Sequence, residues 1–431
     1  MISITDLSLS TENKKIIENF NIEINKNEII GICGESGAGK SILAYFIAGL
    51  SFENIKILGT IKRNFKNFKI LFQNPYSQIF SKTVYDEIKL SLFFNNKSNS
   101  NDDILNTAKF YEIENILHKK INELSFGEVQ KTAIVSILIS NPELIILDEI
   151  SQYIDMNYLN TIMNLIKSHN KDISIIIIEH NYEILNNLCS RIISLNGGKY
   201  EILNKISVKP LDKINITGIQ NDFIVRLENV SFGYIKNKNI FNNFNLDINY
   251  NSFLTITGLN GSGKTTLTKI IINLLKFKGN LYFKNLKNPK FKNIRKYIGY
   301  VFQNPDFQIF CNSVKEEIIY TSKILNLPID DNYFSELTEL FHVEHLLNKS
   351  PFVLSYGEKR KINIISAILH KPELVIYDEP SVGLDYEQKN NLLKLFELLN
   401  KQNITQILIS HDEQLLKSIN IVNNTETRQC L

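Results

Sequence analysis

The chain has 431 residues, 43% of them hydrophobic and 22% charged, with a formal net charge of only +3. That is the composition of an ordinary globular protein with room for two or three domains, and its charge is too weak to argue for nucleic acid. No uncharged apolar run reaches the ~18 residues a membrane span needs, and MISITDLSLS lacks a charged-then-apolar signal pattern. Four cysteines (Cys33, Cys189, Cys311, Cys430) share no metal-ligand spacing, which favours reduced thiols in a cytoplasmic setting.

Alternating runs at Ile2–Ser10 and Phe20–Ile24 predict two strands. The apolar run from Ile29 to Cys33 then leads into GESGAGKS (Gly34–Ser41), and a helix-like run, Ile42–Leu50, leads out. Strand, G-x-x-x-x-G-K-[ST] loop and helix are the context of a phosphate-binding loop. Gly34, Glu35, Ser36, Gly37, Ala38 and Gly39 would turn backbone N–H groups toward one anion, at the positive end of the helix. Lys40 would reach the phosphates, and the Ser41 hydroxyl would sit on Mg²⁺.

More strand-like sequence runs up to Gln73, and a helix-rich section extends from about Tyr85 to Ser140. Solid apolar strands return at Leu144–Leu147 and Ile173–Ile178. Unbroken apolar strands alternating with helices predict an α/β fold with a parallel sheet covered on both faces. The same order then repeats. A second loop, GLNGSGKT, comprises Gly258, Leu259, Asn260, Gly261, Ser262, Gly263, Lys264 and Thr265, with Thr266 following. Gln73 and Gln303, Ser125 and Ser355, and Asp148 and Asp378 share one offset of 230 residues. Two homologous domains are therefore expected end to end, residues 1–203 and 222–431, with a short linker at 204–221 punctuated by Pro210 and Gly218. The strands after His411 look abbreviated beside Arg191–Leu203.

ELIILDE (Glu143–Glu149) and ELVIYDE (Glu373–Glu379) are apolar strands ending in paired carboxylates. Asp148 and Asp378 are placed to hold Mg²⁺ through water, and Glu149 and Glu379 to polarise the water that attacks a γ-phosphate. Ser125-x-x-Glu128 and Ser355-x-x-Glu358 are capping boxes opening apolar helices. A capped helix start offering Ser and Gly donors (Ser125, Gly127; Ser355, Gly357) is also an anion site. Taken singly, His180 or His411 reads equally well as an ordinary strand-end histidine.

In this order, phosphate loop, Gln73, LSFGE, acidic strand end, Asp155 and His180 resemble an ATP-binding cassette (ABC) ATPase domain. Gln303, LSYGE, Asp385 and His411 repeat them in the second half. The resemblance implies two tandem P-loop NTPase (ABC ATPase) domains, each with a mainly parallel sheet core, an antiparallel β-subdomain and a helical subdomain. It further implies ATP and Mg²⁺ as cofactors, and two ATP sites formed between the halves of one chain. One site would use Lys40, Ser41, Gln73, Asp148, Glu149 and His180 with Ser355 and Gly357. The other would use Lys264, Thr265, Gln303, Asp378, Glu379 and His411 with Ser125 and Gly127. Tyr234 matches the family's adenine-stacking aromatic, where the first half has Thr11, so weaker adenine affinity is expected at the first site. DEP and SVGLD in the second half become DEI and SQYID in the first. Both glutamates remain, so two hydrolytic sites of unequal rate are expected, down to an inert first site.

FQNPYSQIF (Phe72–Phe80) with TVYDEI, and FQNPDFQIF (Phe302–Phe310) with SVKEEI, resemble the energy-coupling-factor ATPases of vitamin and cobalt/nickel importers. That likeness implies an integral membrane scaffold subunit and a substrate-binding membrane subunit as partners. It implies peripheral attachment at the cytoplasmic face, no nucleic acid, and Asp306 (with Tyr76 as counterpart) as acceptor for scaffold arginines. The residue-level alternative is a pair of Pro-bounded helix starts with acids at the favourable dipole end. The rival class, ribosome-binding F-subfamily ABC proteins, carries a long charged helical linker, which residues 200–221 do not resemble. An ABC transporter of another class is the remaining alternative. Nothing in the sequence names the cargo.

Overall fold

The computed structural model describes all residues except 12–14, 36, 53, 73–74, 151–158, 162, 165, 167–171, 208, 219–221, 235–238, 259–261, 422–427 and 431, and the side chains of 126 and 428–430. The chain divides into two compact units, Met1–Val208 and Lys209–Leu431.

In the first unit, strands Ile2–Ser10, Lys15–Ile24 and Lys56–Arg63 form an antiparallel sheet. Its inward side chains, among them Leu7, Leu9, Ile17 and Phe20, are buried against the helix Lys40–Ala48 and the central strands. The core sheet runs Phe68–Leu71, Leu144–Asp148, Ser174–Ile178, Ile29–Gly34 and Arg191–Asn196, all parallel, and ends with antiparallel Lys199–Leu203. Leu144–Asp148 and Ser174–Ile178 are buried at every position, as strands covered on both faces must be. A third layer of helices, Val84–Phe94, Asn101–Phe110 and Phe126–Ile139, has its own core around Val84, Ile88, Ile104 and Val135.

The second unit repeats this plan. Phe241–Asn249, Phe223–Phe232, Lys278–Phe283 and Leu286–Lys287 form the antiparallel sheet. Ile298–Val301, Leu374–Asp378, Thr405–Ile409, Phe253–Thr257 and Arg428–Cys430 form a fully parallel core sheet. The three-residue strand Arg428–Cys430 stands where the first unit has Arg191–Asn196. Part of the segment expected to join the halves is built into this unit. Ile214–Ile216 pairs in parallel with Ile419–Ile421, and Leu211, Ile214 and Ile216 are buried.

Local chemistry accounts for the edges of these elements. The first phosphate-loop helix starts at Lys40 and stops at Gly49, whose φ of 113° ends it two residues short of the run read from the sequence. Ser125 and Ser355 each close a complete capping box, with Glu128 and Glu358 respectively. No described helix is long and apolar enough to cross a membrane.

Candidate functional site

The parallel sheet delivers the chemistry to one edge in each unit. Glu149 donates its backbone N–H to Ile178 O (2.9 Å), and Glu379 does the same to Ile409 O (3.0 Å). Each glutamate is thereby held at the end of one strand beside the histidine that follows the next. His180 Nε2 lies 3.2 Å from Glu149 Oε1, and His411 Nε2 lies 3.6 Å from Glu379 Oε1. The second pair is also joined by the His411 backbone N–H donating to Glu379 Oε2 (3.2 Å). Both glutamates sit at φ 51°, a left-handed conformation that costs a residue with a Cβ roughly 1 kcal/mol or more.

The lysines face the same edge. Lys40 Nζ donates to Gly34 O (3.0 Å) and Glu35 O (2.9 Å), and Lys264 Nζ to Gly258 O (2.9 Å). Gly39 and Gly263, at φ 93° and 104°, precede the helices. A Cβ at Gly39 would lie 2.3 Å from Ile16 Cγ2, so the antiparallel sheet seals the back of the loop. Thr265 Oγ1 donates to Asp378 Oδ2 (2.8 Å), and Ser41 hydrogen-bonds Asp148. Each loop hydroxyl therefore meets the strand-end aspartate chosen for it by sequence. Ser262 is described, with its hydroxyl buried and without a hydrogen-bond partner among the described residues. Thr266 Oγ1 lies 3.3 Å from the Tyr234 hydroxyl, and the Tyr234 ring is 62% exposed, open to a flat ligand.

Burial and the Glu149 charge push the Asp148 carboxyl up to about 6, against hydrogen bonds from Tyr45 and Ser41. Burial likewise raises Asp378, with the Thr265 bond and the Arg360 and Lys264 charges opposing it. Burial and the Asp378 charge push Glu379 up to about 8. A carboxyl tuned toward neutral pH suits general-base work. Burial lowers Lys264, and the two acidic neighbours pull it back.

Ser36, Gln73, Asp155, Leu259, Asn260 and Gly261 lie outside the described residues. Gln303 is described, and its carbonyl accepts from Arg360 and from the Tyr356 hydroxyl (3.1 Å). Arg360, fully buried, also bonds the Phe302 carbonyl and so pins the start of the FQNPDFQIF segment. Its counterpart, Gln130, bonds Ile150 O at 3.1 Å instead. The acids at the following helix starts divide their work. Glu87 and Glu317 are buried and accept the backbone N–H groups of Phe80 and Ser81, and of Phe310 and Cys311. Asp306 is ion-paired with Lys359 at 2.8 Å. Phe80, Phe307 and Phe310 remain largely exposed.

Two participants were missed by sequence reasoning. Tyr45 donates to Asp148 Oδ2 (2.8 Å), with its ring edge-on to Phe72. Its spacing of one helical turn from Ser41 was the available signal. Arg360 could have been found as a charge inside an otherwise apolar helix face.

The ABC transporter family model matches residues 17–152 and 241–382, more than half of the chain. A Treponema denticola protein classed as an ABC transporter ATP-binding protein is 28% identical, over 96% of this chain and 93% of its own length. A Bacillus subtilis protein classed as the HMP/thiamine import ATP-binding protein YkoD is 25% identical, over 97% of this chain and 88% of its own. Among solved structures, a chain of ribosome-bound archaeal Pelota and ABCE1 superposes with a TM-score of 0.70 at 17% identity, covering 98% of this chain and 77% of that one. At that identity the likeness is one of fold.

Proposed function

Because the chain belongs to the ABC transporter family, we propose that this ATP-binding ATPase powers uptake of a vitamin or transition-metal ion through separate membrane subunits. The observation that carries the site is its repetition. In both units a loop lysine, a loop hydroxyl bonded to a buried aspartate, and a glutamate–histidine pair converge at one sheet edge.

Lys40 and Lys264 bind the outer phosphates, with the loop amides from Gly34 to Ser41 and from Gly258 to Thr265. The capped helix starts at Ser125–Gly127 and Ser355–Gly357 offer further donors for phosphate oxygens. Tyr234 stacks on adenine. Glu379 takes a proton from the attacking water, and His411, bonded to it, steadies the carboxylate and faces the transferred phosphoryl group. Glu149 and His180 do the same in the first half.

A hard cation fits the donors present. Ser41 with Asp148 and Thr265 with Asp378 are oxygen ligands, and no described cluster of three His, Cys, Asp or Glu competes. Mg²⁺ held by these pairs would neutralise charge on the phosphate oxygens, and the amide oxygens of Gln73 and Gln303 are the further ligands we assign to it. Replacing both Glu149 and Glu379 by Gln should abolish ATP hydrolysis while ATP still binds.

The import reading is supported by the Bacillus subtilis relative, and by the exposed aromatics Phe80, Phe307 and Phe310 in two loops anchored by the buried Glu87 and Glu317. A scaffold arginine reaching Asp306 would have to displace Lys359. The test is purification of the full chain from its native membranes in mild detergent. A multi-span scaffold with a small integral binding protein supports the reading, and attachment is then peripheral. Ribosomal proteins without a membrane partner would sink it in favour of a translation factor.

A further inference from the structure

The second unit contains a half-buried ion pair that the proposed chemistry does not use. Lys389 Nζ lies 2.7 Å from Asp412 Oδ2, and each side chain is largely withdrawn from solvent. Asp412 directly follows His411, and its other carboxylate oxygen accepts the Leu415 N–H (3.1 Å), capping the helix Glu413–Ser418. The Ser381 hydroxyl bonds the same carboxylate, and Ser381 lies two residues beyond Glu379. Lys389 stands in the first turn of the helix Tyr386–Lys401, whose start is fixed by the Asp385–Gln388 capping box. One carboxylate thus gathers three segments: the loop after Glu379, the helix after Asp385, and the loop that carries His411.

Burial pushes Asp412 up, but the Lys389 charge and the bonds from Lys389, Leu415 and Ser381 outweigh it and hold the group below the usual range. The first half does not repeat the arrangement. By the shared offsets, Leu159 replaces Lys389 and Asn181 replaces Asp412. Leu159 is buried in an apolar core, and Asn181 caps its helix, accepting from Glu183 and Ile184 N–H. Capping is common to both halves, and the ion pair belongs to the second.

We propose that Lys389, Asp412 and Ser381 form a positioning brace that sets His411 against Glu379 for hydrolysis in the second half. The brace touches neither nucleotide nor reacting atoms. Its value is geometric: a misplacement of ~1 Å can cost ~10²-fold in rate, and His411 meets Glu379 through a 3.6 Å side-chain approach and a 3.2 Å backbone N–H bond. Lys389 also offsets the Asp412 charge, which reaches Glu379.

This inference rests on the hydrolytic role proposed for Glu379, and one set of full-length variants separates the two. In a Glu149→Gln background, Lys389→Met should lower kcat by about tenfold with KM for ATP within about twofold. Asp412→Asn should behave alike, and Lys389→Arg should stay near the parent, because it restores the charge that a merely space-filling role would not need. Normal kcat in both Lys389→Met and Asp412→Asn would overturn the brace, as would equal losses in Lys389→Met and Lys389→Arg. Should Lys389→Met not fold, the isosteric Asp412→Asn decides. Adding Glu379→Gln to the same background tests the underlying reading: full turnover there refutes the base, whatever the brace variants do.

Discussion

The two halves share a framework and differ in how its ends are fastened. In the first, Asp148 is held by two hydroxyls, Ser41 and Tyr45, and His180 sits 3.2 Å from its glutamate, 11% exposed. In the second, Asp378 has the Thr265 hydroxyl. The Tyr300 phenol, packed on Phe302, turns to Thr268 instead, and His411 is 3.6 Å from Glu379 and 44% exposed. Backbone geometry is copied closely, down to the φ of 51° at both glutamates. The lesson is that strand register and capping, set by hydrogen bonds common to any sequence, outlast duplication, while side-chain fastenings diverge.

The comparison can be broken most sharply at the glutamates. Glu379→Gln should cut ATP turnover by ~10²-fold or more, whereas Glu149→Gln should cost under about tenfold. Equal losses in steady-state hydrolysis would erase the asymmetry. A smaller effect is expected at the base. Tyr234→Ala should weaken adenine nucleotide binding at the second site by about tenfold, and Thr11→Tyr should tighten the first, since stacking is worth ~1–3 kcal/mol. Nucleotide titration of each single-site variant reads this directly.

Where the halves agree, they should respond alike. Ser125→Ala and Ser355→Ala each remove one side of a capping box and should cost ~1 kcal/mol, or about 2–4 °C in thermal midpoint. A large difference between them would show that one cap is not equivalent to the other. The smallest effect at neutral pH concerns His370, which occupies the place of Ser140. Burial pushes its imidazole down to about 4. The unfolded chain then binds more protons than the folded one between about pH 6.5 and 4, so stability falls as pH drops through that window. His370→Ser should flatten this loss in denaturation midpoints measured from pH 7.5 to 5, with no change at the high end.

Much of this was legible in the sequence because it is local. The loops, the strand-end carboxylates and both capping boxes lie within runs of a few residues, and the parallel sheet follows from unbroken apolar strands such as Ser174–Ile178. The first strand was read in full at Ile2–Ser10, whereas its partner, read as Phe20–Ile24, runs from Lys15 to Ile24. What stayed hidden depends on partners far apart in the chain. Tyr45 meets Asp148 across 103 residues, and Arg360 reaches the Phe302 carbonyl across 58. No periodicity marks such pairings. The acids of TVYDEI and SVKEEI show the same limit: a motif groups them, and only packing separates buried Glu87 and Glu317 from their neighbours Asp86 and Glu316.

The left-handed backbone at Glu149 and Glu379 constrains how either half could evolve. Each glutamate is clamped there by its N–H bond to the adjacent strand, so the conformation persists whatever side chain is present. Asn, Asp and Gly tolerate that region well, and β-branched residues do not. A half losing its catalysis under relaxed selection should drift at this position toward Asn, Asp, Gly or Gln, and stay clear of Val, Ile and Thr. The strained turn thus narrows the paths of decay, and a silent cassette in a descendant would carry its history at one readable codon.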